Sequence, residues 1–343
     1  MPTTPVRVAI VGLDHWYTAI PLARALAGRP DAKLVAIVDA DLTRAQEVAA
    51  RVKVAKVTTN ADEVLADQSV DLIAAFASTD TNPATCIAAA EAGKHILSIK
   101  PIARTVEEAT RIRDAVRKAG VVFIPAECRS RRSALHQRLR QWRDDGRFGE
   151  FLTASFALWS PLPQAWPGAT DPGWFADPDR APGGGWIDHS IYHIDLMRWL
   201  FDAHVTSITG RIANLKYPDL PLEDYGHATV DFSNGVVATV EDTWTAPTGF
   251  FRTSMGIVGT DLAVTYDSAT GRLSVTDPRY GGWTQLPALS TQADDIDDIL
   301  AAVRGEADPI GTVDDAWENV AACQAFYQAC ASRTSVTPEQ LPA

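Results

Sequence analysis

The sequence is short of paired cysteines, of methionine and of positive charge. Its four cysteines, Cys86, Cys128, Cys323 and Cys330, form no CxxC pair and no dense framework, which argues against a zinc knuckle and against a disulfide scaffold. They read as buried thiols, with Cys323 and Cys330 two helical turns apart on one core-facing stripe. Lys and Arg number 31 against 43 Asp and Glu, and a net charge of -12 disfavours nucleic acid or an anionic membrane as the main partner. Apolar runs are short. Met1 to Val11 carries one arginine and stops at Gly12, which is neither a signal peptide nor a spanning helix, so a cytoplasmic location is expected. Internal repeats and low-complexity tracts are also missing.

What is present is an ordinary globular composition, 46% hydrophobic and 22% charged, in 343 residues. That length exceeds what one core usually supports, so two domains are expected. Val6 to Val11 reads as a strand, followed by helical character from Thr18 to Ala27. The alternation continues through strands at Lys33 to Val38, Leu72 to Ala77, His95 to Ile99 and Val121 to Ile124. Helices are expected over Leu42 to Arg51, Pro83 to Ala92 and Val106 to Lys118. Strands and helices in this rhythm require parallel pairing, hence an α/β doubly wound, Rossmann-like domain over 1–125.

After about residue 125 the rhythm changes. Phe151 to Trp159 reads as a strand, a segment rich in Pro, Gly and Trp follows, and alternating strands begin at Val205. Ala228 to Phe232 and Val236 to Val240 flank Ser233-Asn234-Gly235 as a hairpin. Helices over Asp294 to Val303 and Asp314 to Ala331 close the chain and could pack back on the first domain. The second domain, 126–343, is therefore expected to be α+β with a mostly antiparallel, open sheet.

Ligands of doubly wound sheets bind beyond the carboxyl ends of the strands, where the first turn normally offers three glycines to a pyrophosphate. Here that turn is Gly12-Leu13-Asp14-His15-Trp16-Tyr17, with only the first glycine kept. A carboxylate at Asp14 repels an anion unless it turns away or meets a cation. Asp39, ending the second strand, stands where an acidic residue accepts from the ribose hydroxyls, which favours NAD over NADP. As a plain surface residue it would only start the next helix with Asp41. Ser78 and Thr79 either reach a dinucleotide or cap the following helix.

The run Gly93-Lys94-His95-Ile96-Leu97-Ser98-Ile99-Lys100-Pro101 resembles the Glu-Lys-Pro segment of the glucose–fructose oxidoreductase/inositol dehydrogenase/rhizopine-catabolism (Gfo/Idh/MocA) family. Gly183-Gly184-Gly185-Trp186-Ile187-Asp188, running on to Leu200, looks like the family's glycine-rich lead-in to its catalytic helix, and Arg304 through Asp314 and the last helix are similar too. The resemblance implies an NAD-dependent oxidoreductase acting on a carbohydrate or polyol, and a homodimer or homotetramer. It matches Lys100 to the catalytic lysine, Asp188 to the helix carboxylate and Tyr192 to the proton-transferring residue, as in the family's tyrosine branches, the glucose–fructose oxidoreductases and dimeric dihydrodiol dehydrogenases. The cofactor would lie along Gly12, Asp14, His15, Trp16, Asp39, Ser78, Thr79, Lys100 and Pro101. Three departures stand out: Ile99 replaces the motif's glutamate, the glycine triplet lies one residue closer to the aspartate, and two glycines of the first turn are gone.

Hydride transfer from a carbinol needs a group that takes the hydroxyl proton. A phenol is a poor base near neutrality, but a lysine cation beside it favours phenolate, and Asp188, Tyr192 and Asp195 share one helical face. His193 is a candidate auxiliary acid. His189 and His193 have the spacing of two zinc ligands, but a third would have to come from Glu127, His227 or Glu241, and no metal is expected. Glu127, Arg129, Trp159, Trp174 and His189 are candidate substrate contacts, the tryptophans because aromatic faces suit sugar rings. Without the family pattern, Asp188 reads as a helix-terminal carboxylate, Tyr192 as core and Lys100 as a surface residue. Two rival functions remain: a redox-neutral lyase or glycoside hydrolase with tightly held NAD, and a non-catalytic sensor or scaffold that lost dinucleotide binding through Asp14.

Overall fold

Short apolar runs closed by glycines and helix caps set the pattern of the first 125 residues. The computed structural model describes residues 4–277, 281–293 and 295–341, and every count refers to these. Strands β1 (Val6–Val11), β2 (Ala32–Val38), β3 (Lys56–Thr58), β4 (Leu72–Ala75), β5 (His95–Ser98) and β6 (Phe123–Pro125) form one sheet. Helices α1 (Trp16–Leu26), α2 (Leu42–Val52), α3 (Asp62–Leu65), α4 (Asn82–Glu91) and α5 (Val106–Ala119) connect them. Caps explain the helix starts: the Asp41 carboxylate accepts from the Thr43 and Arg44 N–H groups, and the Thr105 hydroxyl from that of Glu108.

All six strands run parallel in the order β3-β2-β1-β4-β5-β6. The order reverses between β1 and β4, and ligands of such sheets sit in the crevice at that switch point. Gly12, Asp39, Ser78 and Lys100 follow the carboxyl ends of four of these strands and so share one edge of the sheet.

The second sheet is reached through a 3-10 segment, Ala126–Arg132, and α6 (Ala134–Asp144). Strand β7 (Phe151–Trp159) is followed by a second 3-10 turn, Gly173–Ala176, and by α7 (Ile187–Phe201). Then come β8 (Val205–Ala213), β9 (Tyr225–Phe232), β10 (Val237–Thr243), β11 (Arg252–Gly259), β12 (Ala263–Asp267), β13 (Arg272–Asp277) and β14 (Gly282–Leu286). Helices α8 (Ile296–Val303) and α9 (Val313–Ser332) close the chain. The order is β14-β13-β12-β11-β7-β10-β9-β8, antiparallel except where β7 meets β10. Alternation along β9 turns Ala228, Val230 and Phe232 inward, where they share a core with Ile191 and Ile194 of α7 and Phe326 of α9. The hairpin at Ser233-Asn234-Gly235 is present, with Gly235 at φ 87°.

Helix α9 joins the two cores. Its first half puts Val313, Ala316, Trp317 and Val320 against the parallel sheet's domain, and its second half puts Ala322, Cys323 and Phe326 against the other. Helix α8 likewise buries Ile296, Ile299 and Leu300 against the first domain.

Several boundaries differ from expectation. The strand expected to reach Ala77 stops at Ala75, and Ala77 lies close over Gly12. The helix expected from Pro83 starts at Asn82, and the one expected from Asp294 is seen from Ile296. Asp294 itself lies outside the described residues, as do 1–3 of the N-terminal run and 342–343 of the second domain. Strand β3 had no sequence expectation, and β11 to β14 were expected only as part of the alternating strands from Val205 onward. Among the described residues no helix is long and apolar enough to cross a membrane.

Candidate active site

The first turn is held by contacts that only some residues permit. Gly12 has φ 88°, and a Cβ there would lie 2.3 Å from the Ala77 backbone nitrogen, so the one retained glycine is required sterically. Asp14 turns aside, accepting the Ser78 N–H at 2.9 Å and lying 3.3 Å from Arg44. Asp39 is buried and accepts from Leu13 N–H at 2.7 Å, Asp41 N–H at 2.9 Å and Arg44 Nη2 at 2.9 Å. Burial raises the Asp39 pKa against the opposing pull of these partners. The Arg44 guanidinium lies 5.1 Å from the centre of the Trp166 ring, and Trp16 Nε1 donates to the Gln164 carbonyl at 2.9 Å. The Pro-rich segment of the second domain thus runs across the first turn.

Lys100 is buried at the end of β5, before a cis bond to Pro101. Its Nζ donates to Asp188 Oδ1 at 2.7 Å and to the Asp188 backbone oxygen. Asp188 Oδ2 accepts from Trp244 Nε1 at 2.9 Å and lies 3.5 Å from His189 Nδ1. Burial opposes both charges, yet each holds the other: Asp188, with Tyr17 and Tyr192 nearby, keeps Lys100 protonated above its usual range, while Lys100, joined in acid by protonated His189, keeps Asp188 ionised below its own. His189 is pushed down to about 4 by burial and is neutral at pH 7.

The Tyr192 ring presents its face to Lys100, with Nζ 5.2 Å from the ring centre. The expected phenolate is not favoured there: burial outweighs the Lys100 cation and raises the Tyr192 pKa. A second phenol, Tyr17 of α1, is 37% exposed in the cleft wall and near enough to Lys100 to interact by charge, and its pKa is raised as well. Tyr17, Asp188 and His189 line a cleft of about 720 Å³ between the domains.

Residues 6–127 match the model for the oxidoreductase family, NAD-binding Rossmann fold, and residues 136–265 match the GFO/IDH/MocA C-terminal domain. The scyllo-inositol 2-dehydrogenase (NAD(+)) of Bacillus subtilis (strain 168) is 30% identical over 71% of this chain and 69% of its own. The chain belongs to the GFO/IDH/MocA oxidoreductase family. Another member, the 1,5-anhydro-D-fructose reductase of Ensifer adhaerens, is 26% identical over 88% of this chain and 89% of its own. The fold matches levoglucosan dehydrogenase in complex with NADH and levoglucosan at TM-score 0.87, with 20% identity over 98% of this chain and 100% of that one.

The family's cofactor is NAD, and the donor set here fits it. Asp39 ends β2, Lys100 ends β5, and the buried Thr79 hydroxyl between them lacks a hydrogen-bond partner. Thr79, Lys100 and Pro101 border a cavity of about 20 Å³, narrowed by Trp174, whose ring centre lies 4.7 Å from that of His15 and 4.1 Å from that of Phe175. Ser78 is taken by Arg180, whose Nη2 donates to its hydroxyl at 2.6 Å, and not by a helix cap. Burial lowers the His15 pKa to about 3.

The GFO/IDH/MocA helix brings Lys100, Asp188, Tyr192 and His189 together but sends its other polar residues elsewhere. His193 Nδ1 lies 3.2 Å from Asp242 Oδ2, and burial raises Asp242 to about 6. Asp195, expected to continue the stripe, is ion-paired with Arg131 and bonded by Asn319 at 3.0 Å between the domains. Glu127 lies in that same buried layer, not in the cleft wall, and Arg129 is engaged by Asp295 at 2.6 and 2.7 Å. Trp159 faces a neighbouring groove, donating to Glu241 at 3.1 Å with Arg252 over its ring. Trp174 sits at the Lys100 cavity.

Sequence reasoning missed Tyr17, Arg44, Glu223 and Trp244. Glu223 accepts from Gly184 N–H at 2.9 Å and from the Tyr327 hydroxyl at 2.7 Å, seating the glycine triplet that starts α7. Tyr17 alone had a signal, its place where the third glycine of the first turn normally stands.

Proposed function

We propose that this protein is an NAD-dependent dehydrogenase or reductase that interconverts a secondary hydroxyl and its ketone on a neutral sugar, polyol or cyclic diol. The observation that carries this reading is the buried Lys100–Asp188 pair, which meets the interdomain cleft at Asp188. Bound nicotinamide supplies or accepts the hydride. The chain's own residues handle the proton. Lys100, fixed as a cation by Asp188, stabilises negative charge developing on the substrate oxygen. Tyr17, protonated and in the cleft wall, donates the proton in the direction of ketone reduction. Its raised pKa keeps it protonated, which suits the acid of ketone reduction. The activities of relatives support the substrate class: inositol, D-glucoside and anhydro-fructose are acted on by proteins similar to this one.

Purified protein incubated with NAD and a panel of polyols and sugars, and in reverse with NADH and the corresponding ketones, tests the reading by reduced-nicotinamide absorbance. No change across both panels would sink it.

A further inference from the structure

We infer that the cleft takes a neutral glycoside whose aglycone is flat and apolar, rather than a free polyol or a charged sugar. This rests on the cleft being the substrate site. Its walls are aromatic: Trp16, Tyr17, Phe175, Tyr217 and Phe251 all line it. Asp188 is the one ionised side chain among the described residues of the lining, since His189 is neutral, and Lys100 already compensates that charge. Among the described lining residues there is no cation to receive a phosphate, a carboxylate or a nucleotide diphosphate, and Lys100, beyond the lining, is already paired with Asp188, so an anionic sugar would be desolvated there without a free partner.

The cleft, about 720 Å³, also exceeds what one pyranose ring fills. Asp188, His189, Ser160, Gln164, Thr170 and Thr248 can hydrogen-bond hydroxyls, and the five aromatic rings with Pro161 and Pro163 suit an apolar group. Phe251 marks where such a group would leave. It is 62% exposed, lines the cleft, and also borders the adjoining groove of about 520 Å³ built from Trp159, Pro247 and Phe250. Phe250, 67% exposed, extends the same platform. A sugar seated against Asp188 thus has Phe251 and then the groove of Phe250 and Trp159 on its way outward, and exposed aromatic faces favour a planar substituent.

Saturation-transfer NMR on the full chain, with methyl and phenyl α- and β-glucosides and galactosides and with glucose 6-phosphate, tests this without requiring turnover. A phenyl glycoside should bind about tenfold more tightly than its methyl counterpart, and Phe251→Ala, at an exposed loop position, should erase most of that difference with an unchanged melting temperature. Equal affinity for the two glycosides, binding of none, a preference for glucose 6-phosphate, or a difference that survives Phe251→Ala would overturn the inference. Binding of the phenyl glycoside with no reduced nicotinamide formed would instead refute the dehydrogenase reading and leave this one standing.

Discussion

Lys100 Nζ lies 2.7 Å from Asp188 Oδ1 across the domain boundary, eighty-eight residues away in sequence, and both side chains are buried. Removing one charge leaves the other without its compensation. Lys100→Met should therefore cost about 3–5 kcal/mol of stability, read as a lowered melting temperature. The double variant Lys100→Met with Asp188→Asn should regain part of that stability while staying at least about a hundredfold below the wild-type turnover. A double variant as active as the wild type would remove this pair from the chemistry.

Glu127 gives a pH dependence of known sign. Burial first, and then Asp195, raise its pKa from 4.5 to about 8. A carboxyl so raised favours the folded state fully below its unfolded value, and this advantage is lost as pH climbs through the folded one. Between about pH 5 and about pH 9 the wild type should lose on the order of a few kcal/mol relative to Glu127→Gln. Denaturant melts of both proteins at the two pH values measure it; parallel pH profiles would show that the carboxyl ionises freely.

Asp14 shapes the phosphate end. It engages the Ser78 N–H and, together with Asp39, shares the single Arg44 guanidinium, so two carboxylates face one cation where a diphosphate would approach. Asp14→Asn removes one negative charge and keeps the side-chain shape. NADH affinity, measured by calorimetry, should rise by about 1–2 kcal/mol. An unchanged or weaker affinity would mean that the carboxylate does not compete with the dinucleotide.

The legible part of this molecule was local or periodic. Alternating strands and helices from Val6 to Ile124 dictate a parallel sheet whatever their exact ends, and the Lys100 and Asp188 motifs carry their own spacing. What could not be read was reach across the fold. Trp244 meets Asp188 from fifty-six residues away, and Glu223 meets Gly184 from thirty-nine, with no local pattern to announce either. Asp195 illustrates the converse: helical spacing put it on the stripe of Asp188 and Tyr192, but Arg131 and Asn319 draw it into the buried layer between domains.

Two phenols stand near Lys100, and their surroundings separate their roles. Tyr17 lines the cleft within reach of the Lys100 charge, whereas Tyr192 of α7 packs against the core and turns its ring face to Lys100. Phenylalanine keeps a ring face but has no proton to give. Tyr192→Phe should therefore preserve the cation–π contact and alter kcat only a few-fold, while Tyr17→Phe should lower kcat for ketone reduction by about 10²–10⁴ with little change in KM. An unchanged melting temperature together with an unchanged KM in Tyr17→Phe separates this from a structural effect. If the losses were reversed, proton transfer would belong to α7, as in the tyrosine branches of the family, and Tyr17 would be a wall of the cleft.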